Sequence, residues 1–165
     1  MPDANVDTDM IFHNRHLHIT SPAEMGKYIF GNLKGWEKFP SETGAGDILV
    51  VGHNFGCGSS RQQAVDGFIA LGVAAMIGES FGAIYKRNAI NAGLPLFECS
   101  DILNSGIKDG DEIAVDLTKG TISTVEGTVL ARAKPLSQVG SDIYQAGGLL
   151  ELGADSLGGE PGTRA

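Results

Sequence analysis

Residues 53–64 read His-Asn-Phe-Gly-Cys-Gly-Ser-Ser-Arg-Gln-Gln-Ala, and most of the chemistry in the chain is concentrated there. Ser59 and Ser60 place two hydroxyls beside the guanidinium of Arg61. A planar guanidinium grips a carboxylate or phosphate through two parallel hydrogen bonds, while a neighbouring hydroxyl can donate, accept or relay a proton. Gly52, Gly56 and Gly58 permit positive φ and close approach of the backbone to a ligand. The combination points to a small-anion site with a proton-transfer group. Ser60 and Gln63 have the spacing of a capping box, which predicts a helix starting at Ser60. Its free N–H groups and positive end would favour an anion. Arg61 in the first turn of that helix opposes its dipole, so Arg61 and Ser59 are the functional candidates and Ser60 stands beside them. Cys57 could be a reactive thiol near a helix start, but between two glycines it reads as a small apolar filler. The pattern is neither G-x-G-x-x-G nor a Walker loop. Ser59 lacks the G-x-S-x-G context of a hydrolase nucleophile.

The elements that must hold these residues follow from the hydrophobic pattern. Ile48–Val51 reads as a buried strand leading into the loop, and 64–71 as the helix behind it. A second strand at 73–77, a helix at 81–90 closed by Asn91-Ala92-Gly93, and a strand at 94–97 complete a strand–helix–strand–helix–strand unit. That order implies an α/β fold with a parallel core. Ligand sites in such sheets lie beyond the carboxyl ends of the strands, where residues 53–61 fall. Upstream, Ser21-Pro22-Ala23-Glu24 predicts a capped helix that ends near 32–35, and 36–46 is a polar connection. Asp7 and Asp9 lie in a loop-like N-terminal stretch. His13, His16 and His18 do not share a reliable face for a metal, and Lys86-Arg87 reads as a solvated helix face. Beyond Asp101, segments 111–117, 121–125 and 128–133 predict an antiparallel meander, and 136–146 a last helix weakened by Gly140. Residues 1–152 form one expected domain, with 153–165 a mobile Gly-rich tail.

Composition narrows the function classes. The 165 residues, 42% of them hydrophobic, suit a single core. A net charge of −8 argues against nucleic acid. No apolar run is long enough for a membrane span, and no signal-peptide pattern is present. Two cysteines, Cys57 and Cys99, make neither a disulfide framework nor an iron–sulfur ligand set, and they fit a reducing cytoplasm.

Three blocks together carry a family resemblance: Asn-Val-Asp-Thr-Asp-Met-Ile at 5–11, Gly-His-Asn-Phe-Gly-Cys-Gly-Ser-Ser-Arg at 52–61, and Glu-Ser-Phe-Gly-Ala-Ile-Tyr-Lys-Arg-Asn-Ala-Ile-Asn-Ala-Gly at 79–93. The chain resembles the small subunits of the 3-isopropylmalate dehydratase and homoaconitase group, the detached swivelling domain of the aconitase superfamily. The resemblance is close over 3–100 and looser beyond. It implies a swivelling β/β/α domain and a hydro-lyase reaction in leucine biosynthesis that moves a hydroxyl between adjacent carbons of a hydroxy-dicarboxylate through an enoate. It also implies a separate large subunit carrying the [4Fe–4S] cluster, with no cofactor on this chain. By the same resemblance Ser59 is the base, Asp9 belongs to the catalytic site, and Arg61 with Ser60 binds substrate. Arg15 and His18 lie in the segment where the group tunes substrate choice. A serine is a poor base near neutral pH unless its alkoxide is stabilised, and oriented N–H donors and Arg61 could supply that stabilisation.

The chain departs from the group in three places. Gln62-Gln63 replace the usual Glu-His, His18 stands where homoaconitase-like members carry Arg, and the chain starts at the Asp-Thr-Asp region as though N-terminally shortened. These departures leave homoaconitase and dimethylmalate dehydratase as alternatives. A non-catalytic carboxylate- or phosphate-binding module would use the same helix start.

Overall fold

The structure is a computed structural model, and it describes residues 1–156. In chain order the regular elements are α1 (Thr8–Ile11), α2 (Pro22–Met25), α3 (Phe39–Glu42), β1 (Ile48–Val51), α4 (Gln63–Ala70), β2 (Ala75–Gly78), α5 (Ala83–Asn91) and β3 (Leu96–Glu98). They are followed by β4 (Ile113–Asp116), β5 (Thr121–Thr124), β6 (Val129–Arg132), α6 (Gln138–Ala146) and α7 (Leu149–Ser156).

Strands β1, β2 and β3 lie side by side in that order and all parallel, with Leu49 opposite Met76 and Met76 opposite Leu96. Alternate residues of these strands face opposite ways, and each face meets a different layer. Leu49, Val51, Met76 and Leu96 pack with Val65 and Phe68 of α4, Tyr85 and Ala89 of α5, and the N-terminal Ile11 and Phe12. Ile48, Val50, Ala75, Ile77 and Phe97 pack instead with Ile113, Val115, Ile122 and Ala131 of the antiparallel β4–β5–β6 sheet. The parallel strands are therefore covered on both sides, which is why they read as unbroken apolar runs. The β/β/α layering matches the fold expected from the sequence. A chain of aromatic edge-to-face contacts, Phe39–Phe30–Phe68 and Phe30–Phe55–Tyr85, ties the helical layer to the loop after β1.

Two predicted helices are corrected. The first starts after Ser21 as expected, but the Ser21 side chain makes no cap bond, and only four α-helical residues follow before a 3₁₀ turn at Gly26–Tyr28. The chain turns out of the helix to bury Ile29 and Phe30: the Phe30 N–H donates to the Ile11 carbonyl at 2.9 Å, and Ile29 bridges to Phe12. Ile29 then occupies the space a side chain would need at Gly67 of α4. The second correction, at Ser60, concerns the site and is described below.

Gly140 does not break α6, since its N–H donates to the Ser137 cap at 3.1 Å. Lys86 is not simply solvated but pairs with Glu98 at 2.9 Å. Residues 153–156 of the expected mobile tail complete α7, and the rest of that tail lies outside the described residues.

Candidate active site

The loop after β1 continues the sheet irregularly and gains partners on both flanks. On one side the Phe55 N–H donates to the Ser80 carbonyl at 3.1 Å and the Gly82 N–H to the Phe55 carbonyl at 2.8 Å. On the other, residues 5–8 run alongside it. The Asn5 N–H donates to the His53 carbonyl at 2.9 Å, Gly56 N–H to the Val6 carbonyl at 2.7 Å, and Thr8 N–H to the Cys57 carbonyl at 2.9 Å. This short ladder brings the Asp-Thr-Asp stretch, some fifty residues away in sequence, against the serines. Gly56 is required within it: its φ is +73°, and a Cβ there would collide with the Tyr85 ring.

Asp7 caps α1, accepting from the N–H groups of Asp9 at 2.6 Å and Met10 at 3.1 Å. That capped turn directs Asp9 at Arg61, whose Nη1 meets Asp9 Oδ1 at 2.5 Å and also donates to the Phe12 carbonyl at 2.8 Å and the Thr8 carbonyl at 3.5 Å. The Arg61 side chain is only 10% exposed and that of Asp9 is 50% exposed. The hydrogen bond from Arg61 holds the Asp9 carboxyl below the usual carboxylate range.

Helix α4 begins at Gln63, not at Ser60, and no side-chain cap closes it. The capping box does not form: α4 starts three residues after Ser60, whose hydroxyl accepts instead from Asn88 Nδ2 of α5 at 3.2 Å. Arg61 consequently precedes the helix rather than opposing its dipole from the first turn. Ser59 and Ser60 are both exposed. Thr8, 2% exposed, donates its hydroxyl to the Ser59 carbonyl at 3.0 Å and lies 3.4 Å from Ser59 Oγ.

The structure therefore brings together Asp9, Ser59, Ser60 and Arg61. Arg15 and His18 are exposed and bond within their own turn, Arg15 Nε to His16 Nε2 at 2.9 Å and His18 Nδ1 with the Arg15 carbonyl at 3.0 Å. Among the described residues no hydrogen bond or ion pair joins either of them to residues 59–61. Burial, and then the charge of Asp7, push the Cys57 thiol up, in keeping with a filler rather than a nucleophile. Among the described residues no group of three or more His, Cys, Asp or Glu is placed to hold a metal ion.

The family model of the aconitase C-terminal domain matches residues 12–99, over half the chain. The chain belongs to that family. The 3-isopropylmalate dehydratase small subunit of Caldicellulosiruptor saccharolyticus is 44% identical over 148 residues, 90% of this chain and 84% of that protein. The isopropylmalate/citramalate isomerase small subunit of Methanocaldococcus jannaschii is 40% identical over 146 residues, 88% of this chain and 85% of that protein. The crystal structure of 3-isopropylmalate dehydratase from Methanocaldococcus jannaschii superposes with a TM-score of 0.82 at 35% identity, covering 93% of this chain and 89% of that one.

Within this aconitase-family domain two site residues escaped the sequence reading. Thr8 was hidden between two aspartates that draw attention first, although a threonine in a Val-Asp-Thr-Asp-Met-Ile stretch with apolar flanks is a fair candidate for a buried hydroxyl. Asn88 lies on α5 and no local pattern marks it; only the packing of α5 beside the loop brings it to Ser60.

Proposed function

We propose that this chain is the small subunit of a hydro-lyase of the isopropylmalate class, dehydrating and rehydrating 3-isopropylmalate together with a cluster-bearing large subunit in the cytoplasm. The observation that carries the reading is the convergence of Asp9, Ser59, Ser60 and Arg61 at one exposed loop in a domain whose relatives bear that name. In this reading Ser59 is the base that takes the proton from the substrate carbon, and Arg61 holds a substrate carboxylate. The hydrogen bonds of Arg61 among the described residues all use Nη1. Asp9 and the two carbonyls thus fix one corner of the guanidinium, and its other edge is offered to the carboxylate. Ser60, steadied by Asn88, contributes a further donor. The exposed turn carrying Arg15 and His18 meets the variable end of the substrate.

The [4Fe–4S] group does not fit the residues of this chain. Cys99 is buried in the core between the two sheets, Cys57 packs in the loop, and no third thiol exists. Cluster chemistry is accordingly assigned to the large subunit. The name of the Methanocaldococcus relative favours citramalate as a second substrate of the same kind.

The test is to reconstitute the chain with a 3-isopropylmalate dehydratase large subunit and assay 3-isopropylmalate, citramalate, homoaconitate and dimethylmalate. Turnover of 3-isopropylmalate by the pair, and none by either subunit alone, is the expected result. Full turnover by this chain alone would remove the partner from the reading, and no turnover of any of the four by the pair would remove the reading itself.

A further inference from the structure

Thr8 is held more tightly than a cap or spacer requires. It is 2% exposed, its N–H donates to the Cys57 carbonyl at 2.9 Å, and its carbonyl accepts from the Phe12 N–H at 3.0 Å. Its hydroxyl therefore has a fixed origin, and two groups lie within its reach, both on Ser59: the carbonyl at 3.0 Å and Oγ at 3.4 Å. A carbonyl can only accept. While the single Thr8 proton is spent on that carbonyl, the contact between the two hydroxyls is made only with Ser59 as donor. With Ser59 as donor, its O–H points at Thr8 and its lone pairs are turned the other way. A Cβ added at Gly58, whose φ is +98°, would stand 3.5 Å from Thr8 Oγ1, so the backbone there passes beside Thr8.

We propose that Thr8 is a positioning residue for Ser59, aiming the serine hydroxyl while it is protonated and turning its own proton onto the serine oxygen once that proton has left. Rotation about the Thr8 Cβ–Oγ1 bond redirects the proton, and the two oxygens close in from 3.4 Å as the bond forms. A hydroxyl donating to an alkoxide makes a shorter hydrogen bond, about twice as strong as a neutral one. The protons balance over the cycle: exposed Ser59 becomes an alkoxide by losing its proton to water, takes the substrate proton on dehydration and returns it to the enoate carbon on rehydration, and Thr8 neither gains nor loses a proton. The inference deepens the reading of Ser59 as base and rests on it.

The test compares Thr8→Val, which keeps the shape and removes the hydroxyl, with Thr8→Ser, which keeps the hydroxyl, in the complex reconstituted with the large subunit. Thr8→Val is expected to lower kcat by about 10- to 100-fold, the loss of one hydrogen bond to a charged group. KM is expected to stay within about twofold, because Thr8 acts on the base and makes no contact with the substrate. Thr8→Ser is expected to recover most of the lost turnover. Unchanged kcat in Thr8→Val would overturn the inference, as would equal impairment in Thr8→Ser, which would mark Thr8 as packing alone.

A crystal structure of the Thr8→Val chain by itself separates this inference from the hydro-lyase reading. Ser59 Oγ is expected to occupy more than one rotamer there, and a single rotamer identical to that of the unmodified chain would overturn the positioning role. If the wild-type pair turned over none of the malates while Ser59 lost its fixed rotamer, the hydro-lyase reading would fall and the positioning role would stand.

Discussion

Replacing Arg61 by alanine tests the link between the N-terminal segment and the loop more directly than any change at the serines. Asp9 Oδ1 and the Phe12 carbonyl would lose this donor, while the Thr8 carbonyl would lose a second, longer bond and keep the one from the Phe12 N–H at 3.0 Å. Phe12 is fully buried and Thr8 is 2% exposed. An unsatisfied buried acceptor costs about 1–3 kcal/mol. The 3.5 Å bond to Thr8 is long, so the Phe12 carbonyl at 2.8 Å dominates. The ion pair with half-exposed Asp9 adds at most about 1 kcal/mol after screening. The expected loss is about 1–4 kcal/mol, which for a domain of this size lowers Tm by about 2–16 °C. Thermal unfolding of the purified chain measures the total. Hydrogen exchange locates it, because the amides of Asn5, Thr8 and Gly56 form the ladder that Arg61 clamps, and they are expected to lose protection before those of β1–β3. A Tm within about 1 °C of wild type, with these amides still protected, would refute the clamp.

Asp9→Asn probes the same pair by pH. The Asp9 carboxyl is held low by Arg61, so its stabilising contribution is present above the ordinary carboxylate range and is lost as pH falls through its lowered folded value. The stability gap between wild type and Asp9→Asn is expected to be constant from about pH 5 to 8 and to close below about pH 4; a gap that widened in acid would contradict the pairing. Ser59→Ala is expected to reduce kcat of the reconstituted enzyme by at least about 100-fold, a typical scale for a general base, while native gel mobility of the complex is unchanged; wild-type turnover would exclude Ser59 as the base. Gly56→Ala meets both a positive φ and the Tyr85 ring, and the chain is expected to unfold or lose more than about 3 kcal/mol; a soluble variant with wild-type Tm would show that the loop repacks freely.

The sequence carried the parallel core because its signals were local and mutually consistent. Runs such as Ile48–Val51 are apolar on both faces, and the alternation of strand with helical spacing left one topology class. It also singled out Ser59 and Arg61 as candidates for chemistry, but carried no sign that Arg61 clamps the N-terminal segment through Asp9 and the Phe12 carbonyl. Capping was misread twice. Ser21 and Ser60 have cap-like spacing, but the Ser21 hydroxyl makes no cap bond and the Ser60 hydroxyl meets Asn88 of α5.

What the chain determined by itself at residues 53–61 is a set of chemical groups and a backbone able to turn sharply. Only the tertiary structure decided their partners. Asp9 reaches Arg61, and Thr8 reaches Ser59, because residues 5–8 lay a backbone ladder beside a loop fifty positions away. Such a register depends on long-range hydrogen bonds and on the packing of Ile11, Phe12 and Ile29 beneath it, and periodicity along the chain carries no trace of it.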